Sequence, residues 1–306
     1  MYYQTQDLKT IRDFIRYATT EFNKGGLYFG HGTDNAWDDA VYLILCALHL
    51  SHDITPAILD ARLTQEEKNN ITNLIDQRVT KRIPSAYLIH EARFAELSFY
   101  VDERVLIPRS PIAELIEKHF EPWMDSEHIN CILDLCTGSG CIAVACAHHM
   151  PYAQVDASDI SSDALAVAKI NVLRNNVEDN VALYQSDLFA SLPQKQYDVI
   201  VSNPPYVSEQ EMAELPSEYK HEPALGLAAG KQGLDIVIKI LSQASRYLSP
   251  HGAIFIEVGN SEYALQERFP HVPFMWIEFE RGGGGVFMLS AKELKKYEAL
   301  FTEITI

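Results

Sequence analysis

Ile132-Leu133-Asp134-Leu135-Cys136-Thr137-Gly138-Ser139-Gly140-Cys141-Ile142-Ala143 reads as a buried strand, a tight glycine turn and the opening of a helix. Its last six residues fit the pattern G-x-G-x-x-A, and an acidic residue, Asp159, follows about twenty positions later at the end of the next apolar run. The glycines let the backbone approach a ligand closely, and a carboxylate at the second strand end can accept from ribose hydroxyls. The stretch therefore predicts a nucleotide-type cofactor on a parallel sheet. Taken alone it does not separate nicotinamide or flavin enzymes from those that use S-adenosylmethionine, since all need the same two features.

Working outward, apolar strands alternate with helical stretches beyond about residue 110: 131–135 and 141–149, 154–158 and 162–175, 181–185, 197–202 and 233–248, 252–258 and 261–268. Strands joined by crossover helices make a parallel, doubly wound α/β sheet. At the tail, 275–280 and 285–290 are strand-like around Arg281-Gly282-Gly283-Gly284, which predicts a hairpin whose last strand runs antiparallel. Those glycines serve a turn and not a phosphate, because no helix N-terminus follows them. The first ninety or so residues instead follow helical spacing. Ile11, Phe14, Ile15, Ala18 and Phe22 mark one helix face, and Asp34 or Asn35 caps a second helix carrying Trp37, Val41, Ile44, Leu45 and Leu48. Thr64-Gln65-Glu66-Glu67 is a capping box that opens a third. Phe94, Leu97, Phe99, Val101, Val105 and Ile107 around Asp102-Glu103-Arg104 predict a β-hairpin, which Pro108 ends. The expected division is a helical domain over 1–90, a hairpin linker over 91–108 and a catalytic domain over 109–306.

The chain carries 25 Lys and Arg against 42 Asp and Glu, a formal charge of −17. Such a field repels phosphate backbones and favours basic proteins as partners, so direct nucleic-acid binding is not expected; an acidic surface that only maintains solubility is the plainer alternative. No apolar run reaches the length of roughly eighteen residues needed to span a bilayer, and the polar start Met1-Tyr2-Tyr3-Gln4-Thr5-Gln6-Asp7 is not a signal peptide. A cytoplasmic protein without a membrane partner is the expectation. Four of the five cysteines, Cys131, Cys136, Cys141 and Cys146, fall at every fifth position, wider than the pairs that zinc favours. They read as apolar fillers, and no metal is expected.

Two features favour the sulfonium cofactor. Asp134, just before the turn, would oppose a pyrophosphate but suits the cationic amino-acid end of S-adenosylmethionine. After the third strand, Gln185-Ser186-Asp187-Leu188-Phe189 lets Asp187 accept from an adenine amino group while Leu188 packs on the ring; a cap or turn is the plain alternative for Asp187. The acceptor side is written in Asn203-Pro204-Pro205-Tyr206, which ends the apolar run Tyr197-Asp198-Val199-Ile200-Val201-Ser202. An amide or exocyclic amino nitrogen has its lone pair delocalised, so it attacks a methyl group only when both N–H groups are held. The Asn203 side-chain oxygen and the Pro204 carbonyl supply two acceptors, the prolines stiffen the turn, and Tyr206 can stack on the flat acceptor. A Pro-Pro turn closing a buried strand is the bland reading.

With these residues in hand, nearly the whole chain resembles the class I methyltransferases with an Asn-Pro-Pro-Tyr motif that methylate glutamine side-chain amides at N5. The resemblance also takes in Val105-Leu106-Ile107-Pro108-Arg109, Ser186-Asp187, His221-Glu222-Pro223 with Leu227-Ala228, and Glu257-Val258-Gly259. Ser110-Pro111-Ile112 and Tyr28-Phe29-Gly30-His31-Gly32-Thr33 are similar to the branch that acts on large-subunit ribosomal protein L-three; the release-factor branch usually has Pro-Glu or Pro-Asp followed by Thr after the Pro-Arg. Cys136 departs from the family, where most members have glycine. The resemblance implies a Rossmann-like sheet of seven strands with the last antiparallel. It implies S-adenosyl-L-methionine over Asp134, Leu135, Cys136, Thr137, Gly138 and Gly140, with Asp159, Asp187, Leu188 and Asn203, and transfer at Asn203, Pro204, Pro205 and Tyr206. Glutamine methylation of peptide chain release factors, a DNA adenine N6-methyltransferase that uses a related motif on a flipped base, and a non-catalytic ribosome-assembly factor remain as alternatives. The helical domain is expected to select a basic protein substrate, with Asp34, Asp38 and Asp39 as candidate contacts, a solvated helix N-terminus being the plainer reading of each, and Asp156 stands as the second candidate for the ribose.

Overall fold

The computed structural model describes residues 5–51 and 53–303; Met1 to Gln4, where the polar start begins, lie outside the described residues. The chain forms two compact units. One comprises Met1–Ala92, Val101–Glu103 and Pro216–His221, the other Arg93–Tyr100, Arg104–Leu215 and Glu222–Ile306.

In the first unit, helices Ile11–Lys24, Ala36–Ala47 and Gln65–Thr80 form where the spacing predicts them. Thr10 and Thr64 close capping boxes with Asp13 and Glu67, and Asn35, not Asp34, caps the second helix by accepting from the Asp38 N–H. Phe14, Ile15, Phe22, Leu43, Ile44 and Ile75 share one core. Trp37 departs from expectation and is 47% exposed, because Ala36, Ala40, Leu43 and Ile44 take the inward face of its helix. Beside this core lies Arg78, only 2% exposed. Its Nε donates to Asp39 at 2.9 Å, its Nη2 donates to the Tyr28 carbonyl at 3.0 Å, and Nη1 lies 3.6 Å from Glu218. Burial opposes ionisation of Glu218, yet the Tyr28 N–H, Arg82 and Arg78 hold its carboxyl below the ordinary glutamate value. Asp39, expected to meet a basic partner, is instead buried against Arg78.

The hairpin is tighter than its pattern suggests. Strands β1 (Ala92–Phe94) and β2 (Leu97–Phe99) are joined by Ala95 and Glu96, both with positive φ, as a two-residue turn of matching twist requires. The turn therefore lies at Ala95-Glu96 and not at Asp102-Glu103-Arg104. Without glycine or asparagine in the turn, the sequence carries no mark of it.

The second unit holds a seven-stranded sheet of β3 (Cys131–Leu135), β4 (Gln154–Asp159), β5 (Val181–Gln185), β6 (Tyr197–Ser202), β7 (Leu248–Glu257), β8 (Met275–Trp276) and β9 (Val286–Ser290). Its order is β5-β4-β3-β6-β7-β9-β8, and β9 runs antiparallel to both neighbours while the other pairs are parallel. This is the expected α/β class I methyltransferase sheet with its antiparallel last strand. Both faces are covered, which suits near-continuous apolar strands. Leu133, Leu135 and Ile200 pack with Val237, Leu241 and Leu294 on one side, Ile132, Val155 and Val201 with Ile142 and Phe120 on the other. Helix Asp235–Ala244 stops short of the expected 248, since β7 already begins there, and β8 is shorter than the predicted 275–280. A helix the spacing did not reveal, Ala291–Thr302, is capped by Ser290 and buries Leu294 and Phe301. Cys141 and Cys146 are free and buried in helix Cys141–His149, and burial pushes the Cys141 thiol up to about 12. Among the described residues, no helix is long and apolar enough to cross a membrane.

Candidate active site

The direction in which the sheet grows reverses between β3 and β6, where Leu135 lies opposite Ser202, so the turns leaving these two strands are neighbours at the carboxyl end of the sheet. That is where open α/β sheets bind ligands. Ser202 Oγ donates to the Leu135 carbonyl at 2.7 Å and ties the two strand ends together. In the first turn, Cys136, Gly138 and Gly140 all have positive φ. A Cβ on Gly140 would stand 3.0 Å from that of Ala168, so glycine there lets the turn sit close against helix Ser162–Arg174. Cys136 takes a conformation that glycine adopts freely, at a cost of about 1–2 kcal/mol. This is the physical content of its departure from the family pattern.

Asp134 is wholly buried beneath this turn. Its Oδ2 accepts from the Thr137 hydroxyl at 2.5 Å and the Ala143 N–H at 3.1 Å, while Oδ1 has no hydrogen-bond partner among the described residues. Burial, reinforced by Asp159, pushes its carboxyl up to about 7. Asn171, also wholly buried, donates to the Ser139 carbonyl at 2.8 Å and accepts from the Tyr100 N–H at 2.6 Å, holding the outer side of the turn. The sequence reading passed over Asn171, because an asparagine in an amphipathic helix looks like a solvated position.

A cavity of about 210 Å³ opens above the turn. Of the expected cofactor residues, Cys136, Thr137, Gly138, Asp159, Asp187, Leu188 and Asn203 line it. Asp134, Leu135 and Gly140 do not: they brace the turn from below, and the Thr137 hydroxyl joins Asp134 to the cavity wall. The Asp159 oxygens accept the backbone N–H groups of Gly138 and Ser161, both at 2.9 Å, and keep lone pairs for a ligand. Burial raises its carboxyl against these bonds. Asp156 is not a second candidate for the ribose, because it is buried and engaged by Tyr197 and Lys195, each at 2.7 Å. Leu188 is buried at φ 49°, a strained conformation of the kind that gathers at ligand sites.

Of the four residues expected at the transfer site, Asn203 and Pro205 line the same cavity at the end of β6, and Pro204 and Tyr206 do not. Tyr206 is fixed from three sides. Its hydroxyl donates to Glu257 at 2.9 Å, its carbonyl accepts from Ser261 Oγ at 3.1 Å, and its ring lies where a Cβ on Gly259 would come within 2.6 Å. Glu257, buried at the end of β7, also accepts from Ser110 Oγ at 2.5 Å. Burial raises the Glu257 carboxyl, and both hydroxyls resist that rise. As motif letters, Glu257 and Ser110 do not reveal that Ser110 bonds the carboxylate holding Tyr206; an acid closing the apolar run 253–256 is the available signal. Arg109, on the cavity wall, pairs with both oxygens of Glu222 at 2.6 and 2.9 Å, and Glu222 accepts the Ile107 N–H at 3.1 Å. The Pro-Arg and Glu-Pro motifs are thus two halves of one ion pair.

Residues 116–217 match the family model described as methyltransferase small domain. The chain is 52% identical over 298 residues to the ribosomal protein uL3 glutamine methyltransferase of Xanthomonas campestris pv. campestris, covering 97% of this chain and 96% of that one. It is 46% identical over 296 residues to the protein of the same name from Francisella tularensis subsp. tularensis, with coverage of 96% and 94%. A solved structure of the T. thermophilus 16S rRNA N2 G1207 methyltransferase RsmC, with AdoMet and guanosine, aligns at a TM-score of 0.46 and 18% identity over 65% of this chain and 49% of that one. With half its residues identical across almost the full length of such a relative, the chain belongs to the family of ribosomal protein uL3 glutamine methyltransferases.

Proposed function

We propose that the chain transfers a methyl group from S-adenosyl-L-methionine to the side-chain amide nitrogen of a glutamine in ribosomal protein uL3. The observation that carries this reading is the sharing of one cavity wall by Asn203 at the end of β6 and by Gly138, Asp159 and Asp187 on the cofactor side. The residues fit the cofactor: Gly138 offers open backbone, Asp159 has lone pairs for ribose hydroxyls, and Asp187 and Leu188 suit an adenine. The cofactor supplies an electrophilic methyl on a sulfonium. Asn203 and the Pro204 carbonyl accept the two amide N–H groups, and Tyr206, held by Glu257, stacks on the amide plane. Catalysis is then chiefly orientation. No strong base is needed, because the nitrogen becomes acidic as the methyl bond forms and loses its proton to solvent or a nearby acceptor.

The helical domain over 1–90 serves as the selector of a basic protein substrate, with exposed Asp34 and Asp38 as contacts, and the cytoplasm is the working compartment. Changing both aspartates to lysine should raise KM for the protein substrate and leave cofactor affinity unchanged, and added salt should weaken the wild type in the same way. Equal KM values for the two proteins would dismiss this role. Asp159→Ala should weaken cofactor binding by about 1.5–3 kcal/mol, the worth of hydrogen bonds to a charged acceptor. Isothermal titration of the cofactor checks it, and unchanged affinity would remove Asp159 from the ribose.

The function itself is tested by incubating the enzyme and labelled cofactor with uL3, a release factor and duplex DNA in parallel. Label on a uL3 glutamine, located by peptide mass spectrometry, is the expected result. Label confined to the release factor or to DNA would overturn the substrate assignment, and no label on any of them would favour a binding factor over an enzyme.

A further inference from the structure

We infer that Asp134 carries a proton in the free protein and releases it when the cationic cofactor fills the cavity, so that cofactor affinity is tied to pH through a wholly buried carboxyl group. This inference rests on the cofactor reading and deepens it. Asp134 has no exposed surface, and its Oδ1 has no hydrogen-bond partner among the described residues. A carboxylate so situated is disfavoured by desolvation. Among the described residues, the ionisable groups facing it add no compensating positive charge. Asp159, on the cavity wall, is an acid whose charge opposes a second one, and the thiols of Cys136, Cys141 and Cys146 are all pushed up by burial and neutral. The two hydrogen bonds to Oδ2, from Thr137 and the Ala143 N–H, offset only part of this cost.

A route to the cavity exists. Thr137 lines the cavity and touches Asp134 at 2.5 Å, so a single hydroxyl separates the buried carboxyl from a bound ligand. The cofactor brings an ammonium, a carboxylate and a sulfonium into this cavity, one positive charge in net, and an opposite charge favours the ionised carboxyl. On binding, the Asp134 O–H bond breaks, the proton passes to the buffer, and the cofactor's positive charge takes its place as counter-charge. Nothing is oxidised or reduced. Linkage fixes the sign: where the free protein holds a proton that the complex lacks, affinity rises with pH, and it levels off once the free protein is itself deprotonated.

The test is isothermal titration of S-adenosyl-L-methionine into the full-length protein, in pairs of buffers that differ in ionisation enthalpy, from about pH 6 to about pH 8. Wild type should release close to one proton per cofactor at the acid end and almost none at the alkaline end, with affinity rising up to about tenfold per pH unit where release is complete. Asp134→Asn, which keeps an oxygen for the Ala143 N–H, should lose both the release and the slope. Taking the difference between the two proteins removes any titration of the cofactor's own amino group. Asp159→Asn should bind more weakly yet still release the proton; release that vanished there and persisted in Asp134→Asn would overturn the inference. If Asp134→Asn fails to fold, a flat wild-type affinity over this range is decisive against the inference. Tight binding without proton release would refute this inference alone, whereas no binding by wild type would take the cofactor reading down with it.

Discussion

Asn203→Ala is expected to slow methyl transfer by about 10²–10³-fold while cofactor affinity stays within a few-fold of wild type. The amide nitrogen of a glutamine is a poor nucleophile until both its N–H groups are held, and Asn203 supplies one of the two acceptors. The cofactor rests mainly on the turn after β3, on Asp159 and on Asp187, and none of these depends on the Asn203 side chain for its hydrogen bonds. Ser202, one residue earlier, keeps the two strand ends joined in the variant. Single-turnover rates with saturating cofactor, set beside calorimetric affinities, separate the two effects. Affinity lost as severely as turnover would mean that Asn203 holds the cofactor and not the acceptor.

Arg78→Ala should cost about 3–5 kcal/mol of stability, the range for removing one partner from a buried ionic cluster. The arginine is 2% exposed, and its loss leaves Asp39 without its cation, held by the Thr33 hydroxyl at 3.3 Å, and leaves Glu218 with the partly exposed Arg82 as its one cation among the described residues. Against a total of about 5–15 kcal/mol for a typical domain, that loss brings the helical unit close to unfolding. Arg78→Lys should recover only part of it, since one ammonium cannot reach Asp39, the Tyr28 carbonyl and Glu218 together. The pH dependence follows from the sign of the Glu218 shift. A carboxyl held below its ordinary value contributes stability at neutral pH that is lost as pH falls through that lowered value, so wild type and variant should converge in acid. Urea unfolding at neutral and acid pH measures both effects. Equal midpoints at neutral pH would show that the cluster contributes nothing.

The parallel sheet was readable because its signal is local and repeated: each strand is a short apolar run, and each crossover helix follows a recognisable turn. The glycine turn and the Asn203 turn were readable for a related reason, since glycine and proline restrict the backbone and leave a visible mark. What escaped was whatever depends on pairing across long separations. Arg109 and Glu222 are 113 residues apart, Tyr206 and Glu257 are 51 apart, and Ser110 and Glu257 are 147 apart. No spacing rule joins such residues before the fold does. Asp39 and Trp37 went wrong for the opposite reason. Hydrophobicity alone puts tryptophan inward and aspartate outward, but a buried arginine reverses the aspartate, and small Ala36 and Ala40 claim the inward face. For Asp134, position in the chain suggests a ligand contact; only the fold shows that it lies buried, with the Thr137 hydroxyl joining it to the cavity wall.

The helical unit is completed by Pro216–His221, a segment from far along the chain, and this sets an order of events during synthesis. Arg82 finds Glu218 only after a further 136 residues have been made, which at about 5–20 residues per second is a wait of about 7–27 seconds. Until then the nascent N-terminal helices carry Arg78 with Asp39 as its one carboxylate. A messenger truncated before that point would yield helices that can collapse but cannot close their ionic centre, and a ribosome pausing between the two segments would prolong that exposed interval for chaperones and proteases to act on.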